Sequence, residues 1–161
     1  MGHIAIMIDG VVYGYYPTDE NGNGQFDVNE LFNSKGQMHI NTESEFSDAY
    51  SGNAVTSFDV KISNSQAGDL LKILNTVAQS PGIYSLAGNN CTSVAINALI
   101  GAGVHINSFG PIKVMAGGNN TIFGIVPLQN GYGFSPSGFM NTIQQYGNQE
   151  IFYNPTHFYV K

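Results

Sequence analysis

The stretch 3-HIAIMIDGVVYGYY-16 decides how the rest of the chain can be arranged. An apolar run from Ile4 to Ile8 meets Asp9-Gly10, and a second apolar run begins at once with Val11. Asp-Gly accepts the left-handed backbone that a two-residue turn requires, and such a turn twists in the same sense as the strands it joins. The reading is an antiparallel hairpin in which His3 falls opposite Tyr16, with Tyr15 one register step away and Tyr13 further along. Outward from it, residues 54–63 alternate Val55, Ser57, Asp59 and Lys61 against Thr56, Phe58, Val60 and Ile62, the period of another strand. Residues 65–79 place Leu70, Leu71, Leu74, Val77 and Ala78 at helical spacing, with Ser65 as the expected N-cap and Pro81-Gly82 as the stop. A second helix is expected over 91–100, capped by Asn89 or Asn90. Its apolar face is Val94, Ala95, Ala98 and Leu99, and Gly101 and Gly103 end it. A third is expected over 135–147, with Ser135 as cap and Pro136 in its first turn. The tail reads as strand on both sides of Pro155. Strands outside, helices in the middle and no βαβ alternation give an α+β class, one domain across residues 1–161.

A chain of 161 residues is long enough to close a core, and 42% hydrophobic residues with ten Phe and nine Tyr exclude a disordered chain. Five Lys plus Arg stand against eleven Asp plus Glu, a net charge of −6. A surface of that sign releases no counterions from nucleic acid and gains nothing from an anionic membrane, so neither is an expected partner. Few charges among many Asn, Gly, Ser and Thr suit a secreted or surface-associated protein. The single cysteine excludes an intramolecular disulfide and a multi-thiolate metal site. No apolar run reaches the roughly 18 residues of a membrane span, and "MGHIAIMIDG" lacks the basic start of a secretory signal. Export by another route, or membership of a longer polypeptide, is expected.

That cysteine sits in 88-GNNCTSVAINALIGAGV-104, at the first turn of the expected helix. The positive end of a helix dipole favours a thiolate, unpaired amides there can hold an oxyanion, and an imidazole nearby can move the proton. Cys91 therefore has the position of a nucleophile, although a small buried hydrophobe would also suit it. His3 stands where a strand would ordinarily carry Thr or Val, and a surface histidine is the plain alternative.

Taken together, "GHIAIMIDG" resembles the histidine strand, and "YSLAGNNCTSVAINALIGAGV" the cysteine helix, of the NlpC-like and lecithin:retinol acyltransferase-like cysteine hydrolases. The order, His before Cys, is that of the circularly permuted members. The resemblance covers about residues 2–16 and 54–104. It implies a permuted papain-like fold, an antiparallel sheet packed against the helix carrying the cysteine. It makes Cys91 the nucleophile and His3 the general base. The orienting third residue of that family, His, Asn or Gln, has no match in "VVYGYYP", and Tyr16 is the nearest substitute. His39, His105 and His157 could reach the site only through the tertiary fold.

Residues 19-DENGNGQFDVNE-30 fit a twelve-residue EF-hand loop. Asp19, Asn21 and Asn23 take positions 1, 3 and 5, Gly24 the sharp turn, and Gln25 offers a carbonyl at position 7. Phe26 is the apolar eighth residue, Asp27 the ninth and Glu30 the bidentate twelfth. A structural Ca²⁺ is expected, although a single loop behind a strand and Pro17 differs from paired EF-hands and resembles isolated calcium loops of extracellular domains. An Asn-Gly surface turn is the alternative.

These readings lead to a cysteine hydrolase or acyltransferase, a peptidase or amidase in the first instance, acting on an amide, peptide or ester bond. Its expected substrate is a peptide, peptidoglycan or lipid. His3 so near the first residue leaves no room for a preceding strand, which suggests a piece of a larger polypeptide. C-terminal toxin domains of secreted Rhs-type bacterial proteins resemble this pattern, implying an antibacterial effector with a cognate immunity protein. The competing expectation is a non-catalytic, calcium-stabilised carbohydrate or adhesion module.

Overall fold

The computed structural model of the protein describes residues 3–52 and 55–104 and the strands at 112–113, 132–133 and 155–160. The expected hairpin is present as β1 (Ile4–Ile8) and β2 (Val11–Pro17), with Ala5 opposite Gly14 and Ile8 opposite Val11. Asp9 and Gly10 have φ of 50° and 77°, the double left-handed step of a type I′ turn. After α1 (Val28–Asn33) come β3 (Ser34–Thr42), α2 (Glu43–Ala49), β4 (Thr56–Lys61), α3 (Asn64–Gln79) and β5 (Ile83–Tyr84). The described part continues with α4 (Cys91–Gly101), β6 (Ile112–Lys113), β7 (Tyr132–Gly133) and β8 (Pro155–Val160). The class is α+β. The main sheet runs β4-β8-β1-β2-β3-β5 with antiparallel neighbours throughout, and β6 pairs with β7 separately. The expected strand beyond Pro155 is β8. The residues before it, and the helix expected over 135–147, lie outside the described residues.

β1 is apolar at every position because the sheet is covered on both faces. Ile4, Ile6 and Ile8 pack with Leu70 and Leu74 of α3 and with Ala95, Ile96, Ala98 and Leu99 of α4. Ala5 and Met7 face the other way, onto Val12 and onto Phe46 of α2, with Tyr50 beside them. A third cluster joins Tyr15, Leu31, Tyr84 and Val94.

Two boundaries differ from the sequence reading. The N-cap of α3 is Ser63, not Ser65. Its hydroxyl takes the Gln66 amide while the Gln66 side chain returns to the Ser63 amide, a reciprocal box that Ser65 cannot form. α4 runs through Gly101, and Gly103 (φ 72°) makes the left-handed step. The amides of Gly103 and Val104 then bond back to Ile100 and Leu99, a Schellman close.

Candidate active site

α4 brings Cys91 into the molecule rather than to its surface. The helix buries Cys91, Thr92, Ser93, Val94, Ala95, Ile96, Ala98 and Leu99, so the polar groups of its first turn must be satisfied from within. Asn90, 3% exposed, does this. Its Oδ1 accepts the amides of Thr92 and Ser93, each at 3.0 Å, and its Nδ2 donates to the Leu86 carbonyl at 2.9 Å. Unpaired amides at this turn were the expected oxyanion donors. Instead, Asn90 holds two of the first three.

The thiol is 6% exposed, and burial pushes its pKa above that of an ordinary cysteine. Hydrogen bonding from the backbone of Ile4, from Thr92 and from its own amide acts in the opposite sense without overcoming burial. The depressed pKa expected from the helix dipole is therefore corrected, since desolvation of a thiolate at this depth outweighs it. Cys91 and Ile4, the first residue of β1, line the same small cavity.

His3 lies at the start of the same hairpin, with its ring on the side of Gly14, Tyr16 and Tyr50. Its ring stacks on Tyr16, centroids 4.1 Å apart, as the hairpin register requires. His3 Nε2 is buried and directed over Gly14, 3.1 Å from where a Cβ there would stand, and the Tyr16 hydroxyl is 3.0 Å from the same point. Gly14 thus makes room for both groups. Tyr16 meets His3 by its ring face, while its hydroxyl bonds that of Tyr50 at 2.5 Å, so it buttresses the imidazole by stacking.

Tertiary structure adds groups that no local pattern announced. Tyr50 follows α2 and stands 6.2 Å from His3 with its ring nearly parallel. His39, opposite Gly14 on β3, also lies against Tyr16, ring centroids 4.6 Å apart and tilted by 33°, and burial lowers its pKa. His157 is opposite Met7 on β8, and His105 lies outside the described residues. Burial raises the phenols of Tyr16, Tyr50 and Tyr84, and the nearby Cys91 sulfur raises all three further. They are neutral phenols in the neighbourhood of the thiol. Beneath it, Ile4, Ile6, Tyr13, Tyr15, Met38, Leu74, Val94 and Ala95 line an apolar cavity of about 10 Å³, at the lower limit for one water. Tyr15 donates to the Pro81 carbonyl at 2.7 Å and accepts from Asn89 at 2.9 Å. Its hydroxyl passes so close over Gly36 that a Cβ there would stand 2.0 Å away.

The 19–30 loop has the turns of its motif, with Gly22 and Gly24 left-handed at φ 68° and 77°. α1 starts at its tenth position, Val28, capped by Asp27. Asp19 accepts the amides of Asn23 and Gly24, Asn21 accepts from Asn23, and Asn23 accepts from Gln25. Glu30 is 4% exposed, and its two oxygens take the amides of Glu20, Asn21 and Asp27. Oxygens of Asp19, Asn21, Asn23, Asp27 and Glu30 with the Gln25 carbonyl fit a hard cation by type and order. Among the described residues, however, no three His, Cys, Asp or Glu side chains form a group suited to a metal. Glu30 in particular has turned three of its roughly four acceptor sites to backbone amides.

Among the described residues no helix is long and apolar enough to cross a membrane. No family model, no curated protein and no solved structure matches the chain.

Proposed function

We propose that the chain is a cysteine hydrolase or acyltransferase with a permuted papain-like arrangement, Cys91 its nucleophile and His3 its base. The observation that carries this reading is that a helix-start thiol and Ile4, the neighbour of His3 in the chain, line one cavity although 87 positions separate them. Its thiol rests protonated, so His3 acts as general base at the moment of attack rather than by holding a standing thiolate. Cys91 Sγ bonds the carbonyl carbon as its proton passes to the imidazole. The oxyanion is held by the Cys91 amide and a neighbouring phenol. Collapse expels an amine or alcohol that takes the proton from His3, leaving a thioester, which water or another acceptor cleaves. Tyr16 keeps the imidazole plane fixed by stacking.

The substrate belongs to the peptide, peptidoglycan or lipid-ester class, and the biology we favour is a secreted antibacterial effector, part of a larger polypeptide and neutralised by an immunity protein. Ca²⁺ in the 19–30 loop would have a structural role in this reading, held by Asp19, Asn21, Asn23, Asp27, Glu30 and the Gln25 carbonyl. Calcium should then raise the melting temperature of metal-free protein, and Asp19→Ala should erase the rise. No shift at millimolar calcium would leave an ordinary turn.

The burial of Cys91 favours a second reading, a non-catalytic calcium-stabilised binding module in which the thiol only fills the core. Iodoacetamide labelling of Cys91 separates the two. The enzyme reading expects labelling near pH 7 to fall by about tenfold or more in His3→Ala. Equal rates in both proteins, rising only in alkali, favour the binder.

A further inference from the structure

The 19–30 loop and the start of α4 belong to different motifs in the sequence, yet a continuous line of buried and half-buried groups joins them. Glu30 is the fixed point of the loop, taking the amides of Glu20 at 2.8 Å, Asn21 at 3.2 Å and Asp27 at 2.9 Å. The next residue, Leu31, is 3% exposed and leaves the loop in two directions. Its carbonyl accepts the Leu86 amide at 2.9 Å, and its side chain packs with Tyr15, Tyr84 and Val94. The Leu86 carbonyl in turn accepts Asn90 Nδ2 at 2.9 Å. The other end of that amide holds Thr92 and Ser93 in the turn that begins with Cys91. Because the Asn90 amide is rigid and planar, a displacement of Leu86 reorients the oxygen that caps the helix. Val94, one turn beyond Cys91, gives Leu31 a second hold on the same helix.

We propose that Glu30 is a positioning residue for Cys91, acting through Leu31, Leu86 and Asn90. The role in catalysis rests on the reading of Cys91 as nucleophile, whereas the coupling itself does not. Glu30→Gln keeps the shape of the side chain but replaces one acceptor oxygen by an amide nitrogen that cannot accept. Asp19→Asn is the control. It perturbs acceptors of the Asn23 and Gly24 amides in the exposed part of the same loop, off this line.

The experiment is amide hydrogen exchange on the full chain, with the pH profile of Cys91 alkylation beside it. Glu30→Gln should speed exchange at Thr92 and Ser93 by about tenfold while the amides of α3 keep their native rates. It should also move the alkylation profile back toward that of an ordinary thiol, as the sulfur loses part of its burial. Glu30→Asp, which pulls the carboxylate back by one methylene, should give a smaller change at the same amides and serves if the glutamine variant fails to fold. Unchanged Thr92 and Ser93 in a folded Glu30 variant would overturn the proposal. So would an equal change in Asp19→Asn, which would mean that any loosening of the loop has this effect. An inert thiol combined with the expected exchange pattern would remove the catalytic reading and leave the coupling standing.

Discussion

α3 and α4 lie side by side under the same sheet, yet they are built on opposite terms. α3 buries Leu70 and Leu74 and leaves Asp69 and Lys72 in solvent, an amphipathic helix with an exposed Ser63 cap. α4 buries most of its length, and its polar start is enclosed with it. Water can replace a lost interaction at the start of α3, but the start of α4 is held by buried partners, Asn90 with the Leu86 carbonyl and the Ser93 hydroxyl. A cysteine at the head of the second kind of helix is held firmly and desolvated together, which explains both its fixed position beside Ile4 and its raised pKa.

The largest expected break in this comparison is in the cores of the two helices. Leu99, 1% exposed, is surrounded by the main cluster, whereas Leu71 is half-buried at its margin. Leu99→Ala should lower the unfolding free energy by about 3 to 4 kcal/mol and Leu71→Ala by about 1 kcal/mol, read from denaturant midpoints at unchanged slope. Equal losses would mean that α4 is no more enclosed than α3.

The caps make the next comparison. Asn90→Ala removes the acceptor of two amides and strands the Leu86 carbonyl, all in a buried place, and should cost about 2 to 3 kcal/mol. Ser63→Ala removes an exposed cap and should cost about 1 kcal/mol. If the two caps cost the same, solvent reaches the start of α4.

What the sequence could convey follows the same division. Elements with an apolar period and punctuation of their own were legible: the Asp9-Gly10 hairpin, β4, α3 and α4. β3, SKGQMHINT, has mostly exposed or half-buried positions and no apolar alternation, because backbone pairing with β2 and a few contacts hold it. α2 buries only Phe46, so one anchor in ESEFSDA left no helical stripe to read. Of the site, His3 and its register with Tyr16 followed from turn length alone. Tyr50, His39 and the Leu31–Leu86–Asn90 line arise from long-range packing that has no local period. A helix start alone points to a lowered Cys91 pKa, whereas burial raises it, because the helix start is visible in sequence and its depth of burial is not.

The smallest expected effect is electrostatic. α3 carries its titratable groups in solvent, and α4 carries Cys91 inside. The folded state raises the thiol pKa above its ordinary 9.0, so the native protein holds that proton more tightly than the unfolded chain does. The resulting stabilisation is complete below the unfolded value and is lost as pH rises through the folded one, with a slope of at most about 1.4 kcal/mol per pH unit. The raised phenols of Tyr16, Tyr50 and Tyr84 act in the same sense but only above their ordinary 10.0. Cys91 is therefore the main contributor among these groups between about pH 9 and about pH 10. Native protein should lose unfolding free energy across that interval, and Cys91→Ala should remain nearly flat until the phenols begin to ionise. A native profile parallel to that of Cys91→Ala over the interval would show that the thiolate is tolerated at the head of α4, and that this helix is less sealed than its packing indicates.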